Sequence, residues 1–105
     1  MLKYNFTIGL FDKDTENQVI ESSEAKAIIS DILINKYDLF AFTMIDCNGV
    51  YKMNSTNTIV FEPSIRVEIA TDTNINAEGI IKDLKSLLNQ ESIMLEIENK
   101  DIYIL

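Results

Sequence analysis

Three stretches of the chain alternate between apolar and polar residues, which is the pattern of a strand that buries one face. They are residues 3–11, 58–71 and 92–98. Residues 39–47 are mostly apolar and predict a further strand. Pro63 lies inside the longest alternating stretch and has no amide hydrogen to donate, so it predicts an edge position or a bulge at that point.

Two other stretches have the period of a helix with one apolar face. Residues 23–36 and 76–89 carry apolar side chains three and four positions apart. Each stretch has nearby side chains that can cap the helix by accepting a backbone N–H: Ser22 or Ser23 for the first, and Asn74 or Asn76 for the second.

The order of these elements predicts an α+β fold. Asn48-Gly49 favours a tight hairpin turn with a short return strand at residues 50–53. The end of the chain, residues 101–105, predicts a short terminal strand. Without those additions the order is β-α-β-β-α-β, which is typical of the ferredoxin-like sandwich, in which two helices cover one face of an antiparallel sheet. The sequence therefore predicts one ferredoxin-like domain over residues 1–105, with an extra hairpin strand and a short C-terminal strand.

The balance of charge limits the expected partners. The 105 residues include 9 Lys and Arg against 17 Asp and Glu, a net charge of −8. Long nucleic acid and anionic membranes need clustered basic residues, so neither is expected as a partner. The acidity fits solubility alone, or a basic protein partner.

The location of the protein is predicted from what the sequence lacks. No stretch approaches the roughly 18 apolar residues that span a membrane, and no targeting signal is visible. Cys47 is the only cysteine, which suits a reducing compartment. We therefore expect a cytoplasmic protein, in the host cell if a phage encodes it.

Catalytic and metal chemistry has little support in the composition. The chain has no histidine and one cysteine, which excludes Ser-His and Cys-His pairs and His-ligated metals. Glu62 and Glu68 share the polar face of the longest strand, where a solvated or oligomer-facing surface is the alternative to acid–base chemistry. The loop at residues 12–17 begins like a calcium loop but has Asn17 where glycine is required, which favours a solvated loop. We expect no catalytic residue, no metal and no cofactor.

The most informative side chains fall on neighbouring predicted strands. Tyr51 and Lys52 lie on one strand, and Glu62, Ser64 and Arg66 lie on the next. An aromatic face can stack on a base, and Lys and Arg bind phosphate, so these five residues are the candidate ligand-binding site for a small nucleotide. The alternative is that Arg66 pairs with a glutamate on its own strand face while Tyr51 packs.

Four short segments resemble small, mostly uncharacterised proteins of phages and gut Firmicutes. They are residues 9–15 (GLFDKDT), 49–51 (GVY), 62–68 (EPSIRVE) and 88–92 (LNQES). The group is similar, more remotely, to the Thoeris anti-defence sponge proteins of phages, which sequester cyclic ADP-ribose-type signals without cleaving them and act as oligomers. That family uses more than one arginine, whereas this chain has Arg66 alone.

The resemblance implies a nucleotide pocket at a subunit interface. It implies Tyr51, Lys52 and Arg66 as ligand contacts, with Glu62 and Ser64 hydrogen-bonding sugar hydroxyls. We therefore expect a non-enzymatic, homo-oligomeric phage counter-defence protein that sequesters a small cyclic nucleotide signal. The alternative is an acidic interaction module that inhibits a host nucleic-acid-binding or CRISPR-type defence protein through its basic surface.

Overall fold

The computed structural model describes residues 1–53 and 55–105. Its elements are β1 (Leu2–Gly9), α1 (Ser22–Asp31), a π-helical segment that continues α1 (Ile32–Lys36), β2 (Thr43–Lys52), β3 (Ile59–Thr71), α2 (Ala77–Leu87) and β4 (Met94–Asn99). The four strands form one antiparallel sheet in the spatial order β2-β3-β1-β4. This order and the two helices confirm the predicted ferredoxin-like α+β fold.

The alternation in the sequence decides which face of the sheet the helices cover. Every second residue of β1 from position 4 to position 8 is apolar and buried, and these residues pair in register with buried residues of β3, as Phe6 does with Val67. Ile29 of α1 and Leu84 of α2 belong to the same buried cluster. We call this the helix-covered face, and the opposite one, which carries Thr7 and its polar neighbours, the open face.

The predicted hairpin turn at Asn48-Gly49 is wrong, because β2 runs through both residues without a break. Asn48 pairs with Pro63, and the pairing continues to the end of β2. The chain reverses later, where the Met53 N–H donates to the Thr58 carbonyl at 2.8 Å. The predicted return strand is therefore the end of β2. A ladder along the whole of β2 outweighs the turn preference of two residues, since strand pairing depends on distant neighbours.

The predicted C-terminal strand at residues 101–105 is also absent from the described chain, in which the last strand ends at Asn99. The ladder between β1 and β4 extends one step further, where the Lys100 N–H donates to the Met1 carbonyl at 3.0 Å. No described strand lies beside the residues that follow, so their apolar character alone does not produce a strand.

Pro63 lies in an interior strand, so its predicted edge position is wrong. Its carbonyl accepts the Leu10 N–H at 2.9 Å, one residue beyond the end of β1 at Gly9. The nitrogen and carbonyl of a strand residue point to the same side, so the Pro63 nitrogen also faces the region where β1 has ended. The missing amide hydrogen therefore costs the β1–β3 ladder no bond.

The two helices begin differently. Asn76 caps α2 as predicted, because its Oδ1 accepts the Gly79 N–H at 3.0 Å. The predicted serine cap of α1 is wrong: the N-cap residue is Glu21, without a side-chain hydrogen bond, and the Ser22 hydroxyl donates to Asp46 of β2 at 2.5 Å. Within the described ranges, no helix is long and apolar enough to cross a membrane.

Tyr37 connects the end of the π-helical segment to α2. Its hydroxyl donates to Asp83 Oδ2 at 2.6 Å, and Lys36 Nζ lies 2.7 Å from the same oxygen. Burial raises the pKa of Tyr37 to about 12, and the neighbouring Asp83 adds to the effect. The contact holds the two helices together on the helix-covered face.

Candidate functional site

One end of the open face contains a groove of about 460 Å³, which we call the sheet-face groove. Its lining comes from residues 7–16, 49–53, 62–64 and 90–94. Each stretch overlaps one of the four segments on which the sequence resemblance rests. The four segments are distant in the sequence but lie close together in the fold, where β1 and β2 end and β3 and β4 begin.

Glu62 is held in this groove by the backbone. Its Oε2 accepts the Phe11 N–H at 2.8 Å. The carboxylate also lies against Gly9, where an added Cβ would be 2.5 Å from the carboxyl carbon. Glycine at this position therefore makes room for the carboxylate. The other oxygen, Oε1, has no hydrogen-bond partner among the described residues, which leaves it available to a ligand.

Tyr51 lies beside this carboxylate and is 44% exposed, so part of its ring is open to the groove. Burial raises the pKa of Tyr51, and the negative charges of Glu62 and Glu16 raise it further. The phenol therefore keeps its proton at neutral pH and can donate a hydrogen bond, while its ring offers a surface for an apolar or aromatic group.

The charges in the sheet-face groove are mostly negative. Four carboxylates and one ammonium group line it: those of Asp12, Glu16, Glu62, Glu91 and Lys13. Charges of one sign in a cleft attract a ligand of the opposite sign. The groove therefore suits a cationic ligand better than a nucleotide that carries phosphates.

The loop that follows β1 forms one wall of the groove. Asn89 Nδ2 donates to Asp12 Oδ1 at 2.6 Å and to Asp14 Oδ2 at 2.9 Å. Gln90 is buried, and its amide donates to the Phe11 carbonyl at 2.8 Å. The hydrogen bond from Asn89 is the main cause that lowers the pKa of Asp12. The loop is exposed, as predicted, but it is also bonded to the loop after α2.

The structure brings three of the five predicted site residues together. Tyr51, Glu62 and Ser64 line the groove, and the Ser64 hydroxyl is buried and donates to the Glu62 carbonyl at 3.0 Å. Lys52 follows Tyr51 in β2 and projects to the opposite face of the sheet. Arg66 is on the open face but outside the groove lining.

Arg66 forms ion pairs. Its Nε lies 3.2 Å from Glu68 Oε1, and its Nη2 lies 3.6 Å from Glu96 Oε1. The alternative interpretation of the sequence, a same-face ion pair, is therefore the arrangement observed in the structure. Two carboxylates therefore already balance the charge of the guanidinium.

A second cavity, of about 540 Å³, lies at the opposite end of the open face. Its lining is largely apolar and includes Phe40 and Ile104. Its charged members are already paired: Lys3 lies 3.3 Å from Glu68, and Lys100 lies 2.7 Å from Glu98. It contains none of the predicted site residues, and the sheet-face groove is the better candidate because its charged groups are not neutralised.

The groove residues that were not predicted as site residues include Gly9, Phe11 and Lys13. The resemblance included them without giving them a role. A glycine inside an alternating strand is itself a sign that another group approaches the backbone closely, and Gly9 has that property. No feature of the sequence alone shows that Phe11 donates its N–H to Glu62, because 51 residues separate them.

No protein-family profile matches the chain, and no curated protein matches it. Solved structures do match it, and two of them are of a phage SAM lyase. A phage SAM lyase in complex with S-methyl-5′-thioadenosine has a TM-score of 0.65 and 17% identity. A phage SAM lyase in the apo state has a TM-score of 0.67 and 19% identity. Each comparison covers 97% of this chain and 86% of the other.

These comparisons show that the chain has the fold of a phage enzyme. The predicted resemblance to phage proteins is thus supported at the level of the fold, whereas the link to Thoeris sponge proteins is not shown. The prediction of a non-enzymatic protein is contradicted, because both structural neighbours are lyases. The missing histidine and the single cysteine excluded only some kinds of catalysis, and a site built from a carboxylate and a tyrosine needs neither residue.

Proposed function

We propose that this protein binds S-adenosylmethionine in the sheet-face groove and cleaves it to S-methyl-5′-thioadenosine. The observation that carries the proposal is Glu62, whose carboxylate is fixed by the Phe11 N–H beside Tyr51 in a groove with an excess of negative charge. The proposal is supported by the fold, which is that of a lyase solved with S-methyl-5′-thioadenosine.

The charge of the ligand agrees with the charge of the groove. The sulfonium centre of S-adenosylmethionine is positive, and the carboxylate of Glu62 would attract and orient it. Tyr51 offers a ring on which the adenine can stack and a hydroxyl that can donate. A phosphate-bearing signal molecule would meet four carboxylates in the same groove, which disfavours the nucleotide that the sequence analysis predicted.

The proposed reaction breaks the bond between sulfur and the amino acid portion of the substrate, and both electrons stay on sulfur. Sulfur thereby becomes the neutral thioether of S-methyl-5′-thioadenosine. The amino acid portion leaves without addition of water, either as a lactone closed by its own carboxylate or, once the carbon next to the breaking bond has released a proton to solvent, as an unsaturated amino acid. These two products are isomers, so the reaction balances in either case.

The test is an incubation of the purified protein with S-adenosylmethionine, followed by chromatography and mass spectrometry. We expect S-methyl-5′-thioadenosine to accumulate in proportion to protein concentration, above a protein-free control. An equal amount in the control and in the protein sample at micromolar protein would overturn the proposal.

We also propose a homo-oligomer that acts for a phage against host defence. The apolar side chains of Val50, Ile59 and Phe61 are more than half exposed on the part of the β2–β3 ribbon that extends past β1, and such a patch favours association. The lyase neighbours are phage proteins, which supports the phage role. Light scattering is expected to give a multiple of the 12.0 kDa chain mass, and a clean monomer at high concentration would refute the oligomer.

A further inference from the structure

Among the described residues that line the sheet-face groove, Lys13 is the only cation. It makes no ion pair in the part of the chain that the structure describes, although four carboxylates line the same groove. An ammonium group that forms no ion pair keeps its charge and its N–H donors available for an anionic group of a ligand.

The loop that carries Lys13 is held in place. The Lys13 N–H donates to the Asn89 carbonyl at 3.0 Å, so the start of this side chain has a fixed position. The Asp12 N–H donates to the Asn17 carbonyl at 2.8 Å, and the Glu16 N–H donates to the Asp12 carbonyl at 2.8 Å. These bonds close the loop on itself and against the loop after α2.

The acidic neighbours of Lys13 in the sequence are occupied by other donors. Asp12 Oδ1 and Asp14 Oδ2 accept from the Asn89 amide. Asp12 Oδ2 accepts the N–H groups of Asp14 and Thr15, each at 3.1 Å. Both aspartates are therefore engaged without Lys13, and its ammonium group remains available on the groove side of the loop.

We propose that Lys13 binds the α-carboxylate of the substrate and so determines specificity for a sulfonium nucleoside that carries an amino acid. This inference rests on the proposed function and states which part of the substrate Glu62 and Lys13 each bind. Glu62 faces the cationic sulfur, and Lys13 faces the anionic end. The negative charge of Glu62 and the positive charge of Lys13 would orient a ligand that has a positive charge at one position and a negative charge at another.

The experiment compares S-adenosylmethionine with its decarboxylated form, which keeps the sulfonium and lacks the carboxylate. Calorimetric binding of both ligands and cleavage of S-adenosylmethionine are measured for the wild type, Lys13→Gln, Lys13→Arg and Lys52→Gln. Lys52→Gln is the matched control, because it removes an exposed lysine close to the groove in the sequence but on the other face of the sheet. Circular dichroism verifies that each variant is folded.

We expect the wild type to bind S-adenosylmethionine about tenfold or more tightly than the decarboxylated form, which is the range for one hydrogen bond to a charged group. This preference is measured as binding affinity, because a lactone cannot close without the carboxylate. Lys13→Gln is expected to lose that preference and to raise KM for S-adenosylmethionine, with little change for the decarboxylated ligand. Lys13→Arg keeps the cation and should retain most of the preference, and Lys52→Gln should behave as the wild type.

Several outcomes would overturn the inference. An equal loss on both ligands in Lys13→Gln assigns Lys13 a structural role, and no loss removes it from the site. A loss of preference in Lys52→Gln alone would instead support the original sequence prediction for Lys52. In each of these cases the wild type still cleaves S-adenosylmethionine, so the proposed function stands. If the wild type neither cleaves nor binds it, the proposed function and this inference both fail.

Discussion

The two faces of the sheet are built from the same strands, but helices cover one face and leave the other open. On the helix-covered face, Phe6, Ile65 and Ile80 are at most 1% exposed, and apolar contact satisfies them completely. On the open face the alternate residues of the same strands are mostly polar or charged, and no helix or strand of the described chain covers them. One face therefore supplies stability, and the other is free to supply chemistry.

Two regions of the open face differ in whether their charged side chains form ion pairs. Away from the groove, the charges neutralise each other, as Lys3 does with Glu68 and Arg66 with Glu96. At the groove end, none of the ion pairs among the described residues includes Glu62 or Lys13. We therefore place the proposed ligand site at the groove end, where the charges are unpaired, rather than at Arg66, which already forms ion pairs.

The largest expected effect is on the helix-covered face. Phe6→Ala should lower the free energy of unfolding by about 3–5 kcal/mol, because it leaves a cavity in the core. Thr7→Ala, the next residue and on the open face, should cost less than about 1 kcal/mol. Urea denaturation of both variants measures this, and similar losses would show that the two faces do not differ as described.

The second effect separates chemistry from stability. Glu62→Gln keeps an acceptor for the Phe11 N–H but removes the negative charge, so we expect the cleavage rate to fall about 100-fold with little change in Tm. Glu96→Gln is the control, because Glu96 is on the open face outside the groove lining. If both variants retain full activity, Glu62 has no part in the reaction.

The third effect tests the close approach at the groove. In Gly9→Ala the new methyl group overlaps the Glu62 carboxylate and must displace it, so we expect about a tenfold loss of activity. The fold should change little, because the displaced atoms are the end of a flexible side chain. Activity equal to that of the wild type would mean that the position of this carboxylate does not matter.

The smallest expected effect is on stability, and it tests the hydrogen bond between Tyr37 and Asp83 of α2. Tyr37→Phe removes the hydrogen bond to Asp83 and should cost about 1 kcal/mol at neutral pH. Because the pKa of Tyr37 is raised to about 12 in the folded state, its stabilising contribution is complete below pH 10 and is lost as the pH rises from about 10 to 12. The difference in Tm between the variant and the wild type should shrink over that interval. A constant difference would contradict this assignment.

The sequence predicted the fold well where the relevant signal is local. Alternation identified β1, β3 and β4, a period of three to four identified both helices, and Asn76 was a correct choice of cap. The errors occurred where distant pairing decides. Asn48-Gly49 has the composition of a turn, yet β3 pairs with it and keeps it extended. Ser22 can cap a helix, yet Asp46 of β2 binds its hydroxyl.

The sequence by itself determined the fold class, the apolar face of each element and the acidity of the chain, because these depend on residue type and on spacings of two to four positions. Only the tertiary structure decided that Tyr51 and Glu62 share a groove, that Lys52 points away from it and that Arg66 is already paired. Strand register and the order of strands in the sheet set those relations. They depend on pairing between residues that are far apart in the chain, which no local pattern records.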